Sequence, residues 1–232
     1  MICNSNEINL FNMKDIALVI QARSNSKRCK NKMLRSFANS NLFKIQLEKY
    51  KNIYKENKLK VYAAVGEEKF FKILNDYPLI NIIKRNEASV NGDKIDDVFN
   101  YLNLIKESTI CFINPCAPLM GSHKVLEAIE SYTKNNYKSL TTVLKKHTWY
   151  YDHLKKPINN NLSGNTKDLD EIYECTHNFH IFRKDFFIKN LRYWDNQLND
   201  PFLFEVDQFE SLDIDTEEEF QFVEKVYNSM VG

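Results

Sequence analysis

Val19-Ile20-Gln21-Ala22-Arg23-Ser24-Asn25-Ser26-Lys27-Arg28, followed shortly by Lys32, is the stretch whose reading sets the fold. Ile16 to Ile20 is an apolar run of strand length that breaks abruptly into small polar residues. Ser24, Asn25 and Ser26 leave backbone N–H groups open, and Arg23, Lys27, Arg28, Lys30 and Lys32 surround them with positive charge. A triphosphate docking beyond the carboxyl end of a parallel strand needs that combination. A solvated basic turn has the same composition, so the stretch alone leaves both readings open. It contains neither GxxxxGK[ST] nor GxGxxG, which disfavours a P-loop kinase or a dinucleotide-binding protein.

Outward from this stretch, apolar runs alternate with helical periodicity. A helix is expected from Leu42 to Tyr50, a strand over Leu59–Val65 closed by Gly66, a helix over Glu67–Leu74 and a third strand over Ile80–Ile83. A polar segment from Lys84 to Asp93 leads into a helix over Ile95–Ile105. Thr109–Ile113 reads as a fully buried parallel strand. It runs into Asn114-Pro115-Cys116-Ala117-Pro118-Leu119, where two prolines stiffen an extended loop, and then a helix over Ser122–Tyr132. Such a loop can hold backbone against a base or sugar, or it is a plain strand-to-helix turn. Ser139–Lys145 and Glu174–Phe182 are further strands, separated by the aromatic segment His147–Asp152 and an Asn-rich excursion. Strands alternating with helices point to an α/β domain around a mostly parallel sheet.

Asp213-Ile214-Asp215-Thr216 precedes the last helix. Asp215 or Thr216 suits the N-cap, and Thr216 with Glu219 makes a capping box. Capping leaves Asp213 unexplained. An extended Asp-x-Asp sets both carboxylates on one face, about 7 Å apart in Cα, which suits a hard divalent cation bridged to phosphates. An EF-hand is excluded for want of its glycine and spacing.

The chain has 232 residues, enough for one compact domain with a substantial core. Its 32 basic and 31 acidic residues give a net charge of +1, so no global field attracts nucleic acid or an anionic membrane. No apolar run approaches the ~20 residues of a membrane span, and no signal peptide is evident. Five cysteines without a CxxC pair argue against a disulfide framework and fit a reduced, cytoplasmic setting. His177 and His180, three apart in an expected strand, are placed on opposite faces and give no metal spacing. Residues 1–14 read as an extension before the first strand.

Ala22-Arg23-Ser24-Asn25-Ser26-Lys27 with Lys32 resembles the Ala-Arg-x-Gly-Ser-Lys motif of the CMP-sugar cytidylyltransferases, the CMP-sialic acid synthetase family. The Gln-Ala-Arg form is also similar to the spore-coat polysaccharide cytidylyltransferases. Asn114–Leu119 resembles the family's Gln-Pro-Thr-Ser-Pro-Leu, Asn178–Phe182 its Asn-Gly-x-Tyr-Ile, and Asp213–Thr216 its Asp-Ile-Asp-Thr. The chain departs from the family at Gln21 (Pro), Asn25 (Gly), Asn114 (Gln) and Met120 (Arg). Asn25, which tolerates the left-handed backbone, is expected to keep the loop's shape.

The resemblance implies a three-layer α/β/α, Rossmann-like nucleotidyltransferase with a small dimerisation lobe near residues 147–172, and hence a homodimer. The implied reaction passes CMP from CTP to the hydroxyl of a small acceptor, an acidic sugar, and releases pyrophosphate. Arg23, Lys27 and Lys32 would neutralise the triphosphate, and Asp213 and Asp215 would hold Mg²⁺. Ala22, Arg23, Ser24, Asn25, Ser26, Lys32, Asn114, Pro115 and Ala117 would hold the nucleotide. Arg85, Asp93, Asn114 and Asn178 would meet the acceptor, although a lone Asn in a strand also suits a solvent-facing position. Two other readings share features of the sequence. A glycosyltransferase also uses Asp-x-Asp, though mid-chain, and a non-catalytic nucleotide-binding protein would account for the departures.

Overall fold

β1 (Ile16–Gln21) is buried along almost its whole length and lies in the middle of the sheet. Its two faces feed different cores. Leu18 and Ile20 pack with Phe43, Leu47, Val125 and Phe179, whereas Ala17 and Val19 pack with Tyr62, Ile110, Phe182 and Phe187. A strand apolar on both faces must be covered on both, which makes a three-layer arrangement. The computed structural model describes residues 13–159 and 164–231; residues 1–12, most of the expected N-terminal extension, lie outside them.

The sheet has seven strands in the order β3-β2-β1-β4-β6-β5-β7. These are β2 (Lys60–Val65), β3 (Asn81–Lys84), β4 (Thr109–Ile113), β5 (Ser139–Lys146), β6 (Ile172–Arg183) and β7 (Phe202–Glu205). Six run parallel; β6 is antiparallel to both its neighbours. The reversal, which the sequence did not announce, brings residues 177 and 178 of β6 beside the carboxyl end of β4, where Ile113 pairs with Phe179. Helices α1 (Leu42–Tyr50), α2 (Ile53–Asn57) and α3 (Glu68–Leu74) follow the first strands in the chain.

The polar segment after β3 is not a bare loop. It holds α4 (Glu87–Asn91), capped by Asn86, whose side chain accepts the Ser89 N–H. Gly66 permits the crossing, since a Cβ there would sit 2.3 Å from Val90 Cγ2. The single helix expected over 95–105 is split into α5 (Ile95–Val98) and a 3₁₀ turn, Asn100–Leu104. After α6 (Ser122–Asn135), two elements escaped the periodicity: α7 (Lys184–Asn190) and the four-residue β7, both too short to show a pattern. α8 (Glu217–Val231) closes the chain. Among the described residues no helix is long and apolar enough to cross a membrane.

At the amino ends of β2 and β4, Glu107 is buried and accepts hydrogen bonds from Lys60 Nζ at 2.6 Å and Tyr62 Oη at 2.9 Å. Burial pushes its carboxyl up, but Lys60, the Glu107 backbone and Tyr62 outweigh burial and hold it below the ordinary value. A depressed carboxyl contributes stability above the unfolded value of ~4.3 and loses it as pH falls through the folded value. Glu107→Gln is therefore expected to cost about 1–3 kcal/mol at neutral pH. The gap should close as pH falls through the folded value and wild-type Glu107 is itself protonated. Urea unfolding across that range checks this, and a gap independent of pH would count against the charge.

Candidate active site

The chain leaves the sheet at Ala22, whose N–H still donates to Ala64 O at 3.1 Å. The loop that follows is pinned by side chains. Glu67 Oε1 accepts both the Ser24 N–H (2.7 Å) and the Ser24 hydroxyl (2.9 Å). Asn25 donates to Asn91 Oδ1 at 2.8 Å, and Arg23 to Val90 O at 3.2 Å. Ser24 and Asn25 thus spend their polar groups on neighbouring segments and line no part of the cleft beyond the strand. The left-handed residue of this loop is Asn31 (φ 55°), not Asn25, so the change from glycine at position 25 needs no special backbone.

That cleft, of about 530 Å³, is lined by Gln21, Ala22, Arg23, Ser26, Lys27, Arg28, Cys29, Lys32, Met33, Asp93, Phe112, Asn114, Pro115, Cys116 and Asp215. The cations Arg23, Lys27, Arg28 and Lys32 outnumber the acids Asp93 and Asp215 on its wall. Lys32 is buried; its Nζ donates to Ile214 O and lies 3.3 Å from Asp215 Oδ1. Burial lowers the Lys32 ammonium's pKa, but the Cys116 sulfur, Asp215 and Asp213 together hold it above its ordinary value. Arg28 Nη2 takes the other Asp215 oxygen at 2.8 Å.

Asp215 does not cap the last helix. The cap is Thr216, whose hydroxyl accepts the Glu219 N–H at 3.2 Å while Glu219 Oε2 accepts the Thr216 and Asp215 N–H groups, both at 2.8 Å. The Asp215 carboxylate is left to face the cleft. Asp213 lies behind the lining, and its carboxyl takes a hydrogen bond from the Asn114 side chain. Burial and then the Asp215 charge push it above the ordinary value, with Lys32 pulling the other way. Among the described residues no group of three or more His, Cys, Asp or Glu is gathered for a metal. Two carboxylates, one of them short of positive charge, nevertheless fit Mg²⁺, which keeps several waters and takes its remaining oxygens from phosphates.

On the far wall, Asn114 Oδ1 accepts the Cys116 N–H at 2.9 Å and fixes the turn out of β4. α1 clamps this loop from behind. Gln46 Nε2 donates to Ala117 O at 3.1 Å, and Lys49 Nζ to Met120 O at 2.8 Å and to Pro118 O. Among the described residues no carboxylate pairs with Lys49, and burial lowers it to about 7. Ala117 and Met120 are buried and do not line the cleft. Burial pushes the cleft-lining Cys116 thiol up to about 11, so it stays protonated.

Of the residues assigned to the acceptor, Asp93 and Asn114 reach the cleft. Arg85 does not. It is buried under the first loop and donates to Ser89 Oγ at 2.9 Å and to Ala22 O at 3.3 Å, which makes it a prop for that loop. Asn178 is fully buried rather than solvent-facing; its Nδ2 donates to Glu210 O at 3.0 Å and its Oδ1 has no partner. His177 and His180 share a side, Nδ1 to Nε2 at 3.2 Å, because His177 takes left-handed backbone (φ 54°) and breaks the strand's alternation. Sequence reasoning counted Arg28 in the basic run without giving it a site role, and named Gln21, whose Oε1 accepts from Tyr101 Oη at 2.7 Å, only as a departure from the family. The clamp by Gln46 and Lys49 had no local signal.

The cytidylyltransferase family matches this chain over residues 17–231. The chain belongs to the cytidylyltransferase family. It is 24% identical over 229 residues to the post-translational flagellin modification protein B of Campylobacter coli, covering 91% of this chain and 94% of that protein. This cytidylyltransferase also shares its fold with a CMP:2-keto-3-deoxy-manno-octonic acid synthetase complexed with CTP. The TM-score is 0.64 at 11% identity, over 93% of this chain and 99% of the other. The 4-diphosphocytidyl-2C-methyl-D-erythritol synthase of Anaerococcus prevotii is similar with a TM-score of 0.66 at 14% identity, over 94% and 99% of the two chains.

Asp213 separates a metal role from a packing role. Asp213→Asn relieves repulsion between two carboxyls, so without divalent ions its melting temperature is expected to equal or exceed that of wild type. Mg²⁺ with CTP should raise the melting temperature of wild type and leave the variant nearly unmoved. Thermal melts with and without these ligands measure both effects; an equal shift in the two proteins would remove Asp213 from the metal site.

Proposed function

We propose that this cytidylyltransferase joins CMP from CTP to a hydroxyl of a sugar acid and releases pyrophosphate. One observation carries the reading: buried Lys32, held between the Ile214 carbonyl and Asp215, places a fixed cation in a cleft lined by Arg23, Lys27 and Arg28 at the end of β1. A triphosphate carries about four negative charges, and a local cationic wall in a nearly neutral chain supplies the neutralisation that binding and departure of pyrophosphate require. Within the cleft, Arg28 and Lys32 both pair with Asp215. With CTP bound, Lys32 and Arg28 would turn to phosphate oxygens, and Asp213 and Asp215 would be left to hold Mg²⁺. Held there, Mg²⁺ would supply charge stabilisation to the phosphates.

The other residues position. Arg85 holds the Ala22 carbonyl and Glu67 holds Ser24, so the first loop meets the phosphates with Arg23, Ser26 and Lys27 already arranged. Asn114 and Pro115 offer a rigid wall for the nucleoside. The sugar-acid acceptor is supported by the product named for the structural relative that makes CMP:2-keto-3-deoxy-manno-octonic acid. Free cysteines and dependence on CTP suit a cytoplasmic enzyme. The test is pyrophosphate release from each of the four ribonucleoside triphosphates with a panel of sugar acids, neutral sugars and sugar phosphates. CTP with a sugar acid is expected to give the highest kcat/KM. Equal use of all four nucleotides, or turnover with sugar phosphates alone, would overturn the reading.

The excursion between β5 and β6 exposes Tyr151, Leu154 and Ile158, each more than half accessible, and Trp149. Apolar side chains so concentrated on one segment favour contact with a partner surface. We propose that this segment joins two copies of the chain. Light scattering at micromolar concentration is expected to give the mass of two chains, falling to one when Tyr151 and Ile158 are both changed to Asp; a wild-type monomer would refute the interface.

A further inference from the structure

Just beyond the cleft, β6 carries a ring of hydrogen-bonded side chains that the reading above leaves unused. Thr141 pairs with His180 while Val143 pairs with Cys175, so β6 holds extra residues against β5, and His177 sits at the bulge with φ 54°. The bulge turns Cys175, His177 and His180 toward one another. His180 is buried with Nδ1 2.8 Å from Thr141 Oγ1 and its ring stacked on Tyr193 at 4.7 Å. Its Nε2 lies 3.2 Å from His177 Nδ1. Cys175 Sγ closes the ring, 3.3 Å from Thr141 Oγ1 and 3.7 Å from His177 Nδ1.

Proton counting fixes the direction of these bonds. Burial first, and the neighbouring His177 second, lower His180 to about 3, so it is neutral and carries a single N–H. Burial raises the Cys175 thiol's pKa, but its hydrogen bonds with His177 and Thr141 outweigh burial and hold it below the ordinary value. With the sulfur as acceptor, the Thr141 hydroxyl donates to it at 3.3 Å and accepts from His180 Nδ1–H at 2.8 Å. His180 Nε2, then unprotonated, accepts from His177 Nδ1–H. This leaves the lone pair on His177 Nε2, which makes no hydrogen bond among the described residues, on an exposed ring.

The ring's location matches an acceptor's approach. Across the sheet edge, the loop from β1 faces the triphosphate, the loop from β4 comes next and β6 lies beyond it. The Asn114 N–H donates to Asn178 O at 2.9 Å, which fixes His177 one residue from that junction, and the Asp213 charge reaches its ring. On the cleft wall Cys116 stays protonated and Asp215 is engaged by Lys32 and Arg28, which leaves Asp93 as the remaining carboxylate there.

We propose that His177 is the general base that accepts the proton of the acceptor hydroxyl, with His180 and Cys175 as positioning residues that hold its tautomer; this rests on the cytidylyl-transfer reading. As the acceptor oxygen bonds to the α-phosphorus, its proton passes to Nε2. The bond from the α-phosphorus to the bridging oxygen breaks, and pyrophosphate leaves with that electron pair. The proton then passes to water. The titratable and charged groups facing His177 are Cys175 and His180 on its own strand and Asp213 from the segment before α8; β5 contributes uncharged Thr141. The Cys175 hydrogen bond raises the His177 pKa, burial opposes it, and the Cys175 and Asp213 charges add to the rise. Turnover therefore climbs with pH as His177 loses its proton.

Two measurements test this. ¹⁵N-histidine NMR of the protein without ligands is expected to show neutral His177 protonated at Nδ1; the Nε2–H tautomer would overturn the proposal whether or not the enzyme is active. His177→Asn fits the left-handed backbone, since Asn tolerates it well, and it keeps an amide near Nδ1 while deleting Nε2. With CTP and the best acceptor, it should lose roughly 100-fold or more in kcat and lose the acid limb of the pH profile. Its KM for CTP should stay within about 2-fold of wild type. Wild-type turnover with an unchanged acid limb in His177→Asn refutes the base alone. Absence of pyrophosphate release from wild type with every nucleotide refutes the transfer reading and the base with it. If the Asn variant unfolds, His177→Gln supplies the same comparison.

Discussion

Lys32 ties the two ends of the described chain together. It lies in the loop after the first strand, and its ammonium donates to Ile214 O and faces Asp215, 183 positions later. A buried ammonium is stable only with partners, and the partners here belong to the segment that also carries the paired carboxyls. Seating that segment seats α8, because Thr216 and Glu219 cap the helix one residue further on. Cys29 and Arg35, from the same first loop, meet Glu217 on the first turn of α8. The cleft and the last helix are thus positioned by one set of contacts.

Preorganisation here does not come from glycine. The chain has five glycines, and none of the described ones has a positive φ, so the loops are shaped by side chains bonded to backbone. Arg85 holds Ala22, Glu67 holds Ser24, and Gln46 and Lys49 hold the loop after β4. Each contact joins a cleft loop to a different part of the fold, so the cleft is rigid as far as the core is packed. The departures from the family pattern are compatible with this. Asn25 occupies ordinary backbone, and Asn114 makes its own turn and reaches Asp213.

The hydrogen-bonded ring of Thr141, Cys175, His177 and His180 follows from the one reversed strand. Were β6 parallel, its residues 177 and 178 would lie at the opposite edge of the sheet from the cleft. Reversal brings them next to Asn114, and the bulge at His177 turns two histidines to the same side.

The sequence by itself determined the strands β1, β2 and β4, because strands buried on both faces must be unbroken apolar runs, and it determined the α1 helix through its spacing of Leu42, Ile45 and Leu47. It also determined which loops carry charge, since Arg23 to Lys32 and Asp213 to Asp215 contrast with apolar neighbours. The direction of β6, the burial of Arg85 and Asn178, and the choice of Thr216 over Asp215 as helix cap were decided only by the tertiary structure. So were the spending of Ser24 and Asn25 on other loops and the clamp by Lys49. Periodicity reports how a residue relates to its neighbours in the chain. Each of these features depends instead on a partner tens of residues away, where burial and charge settle which polar group takes which.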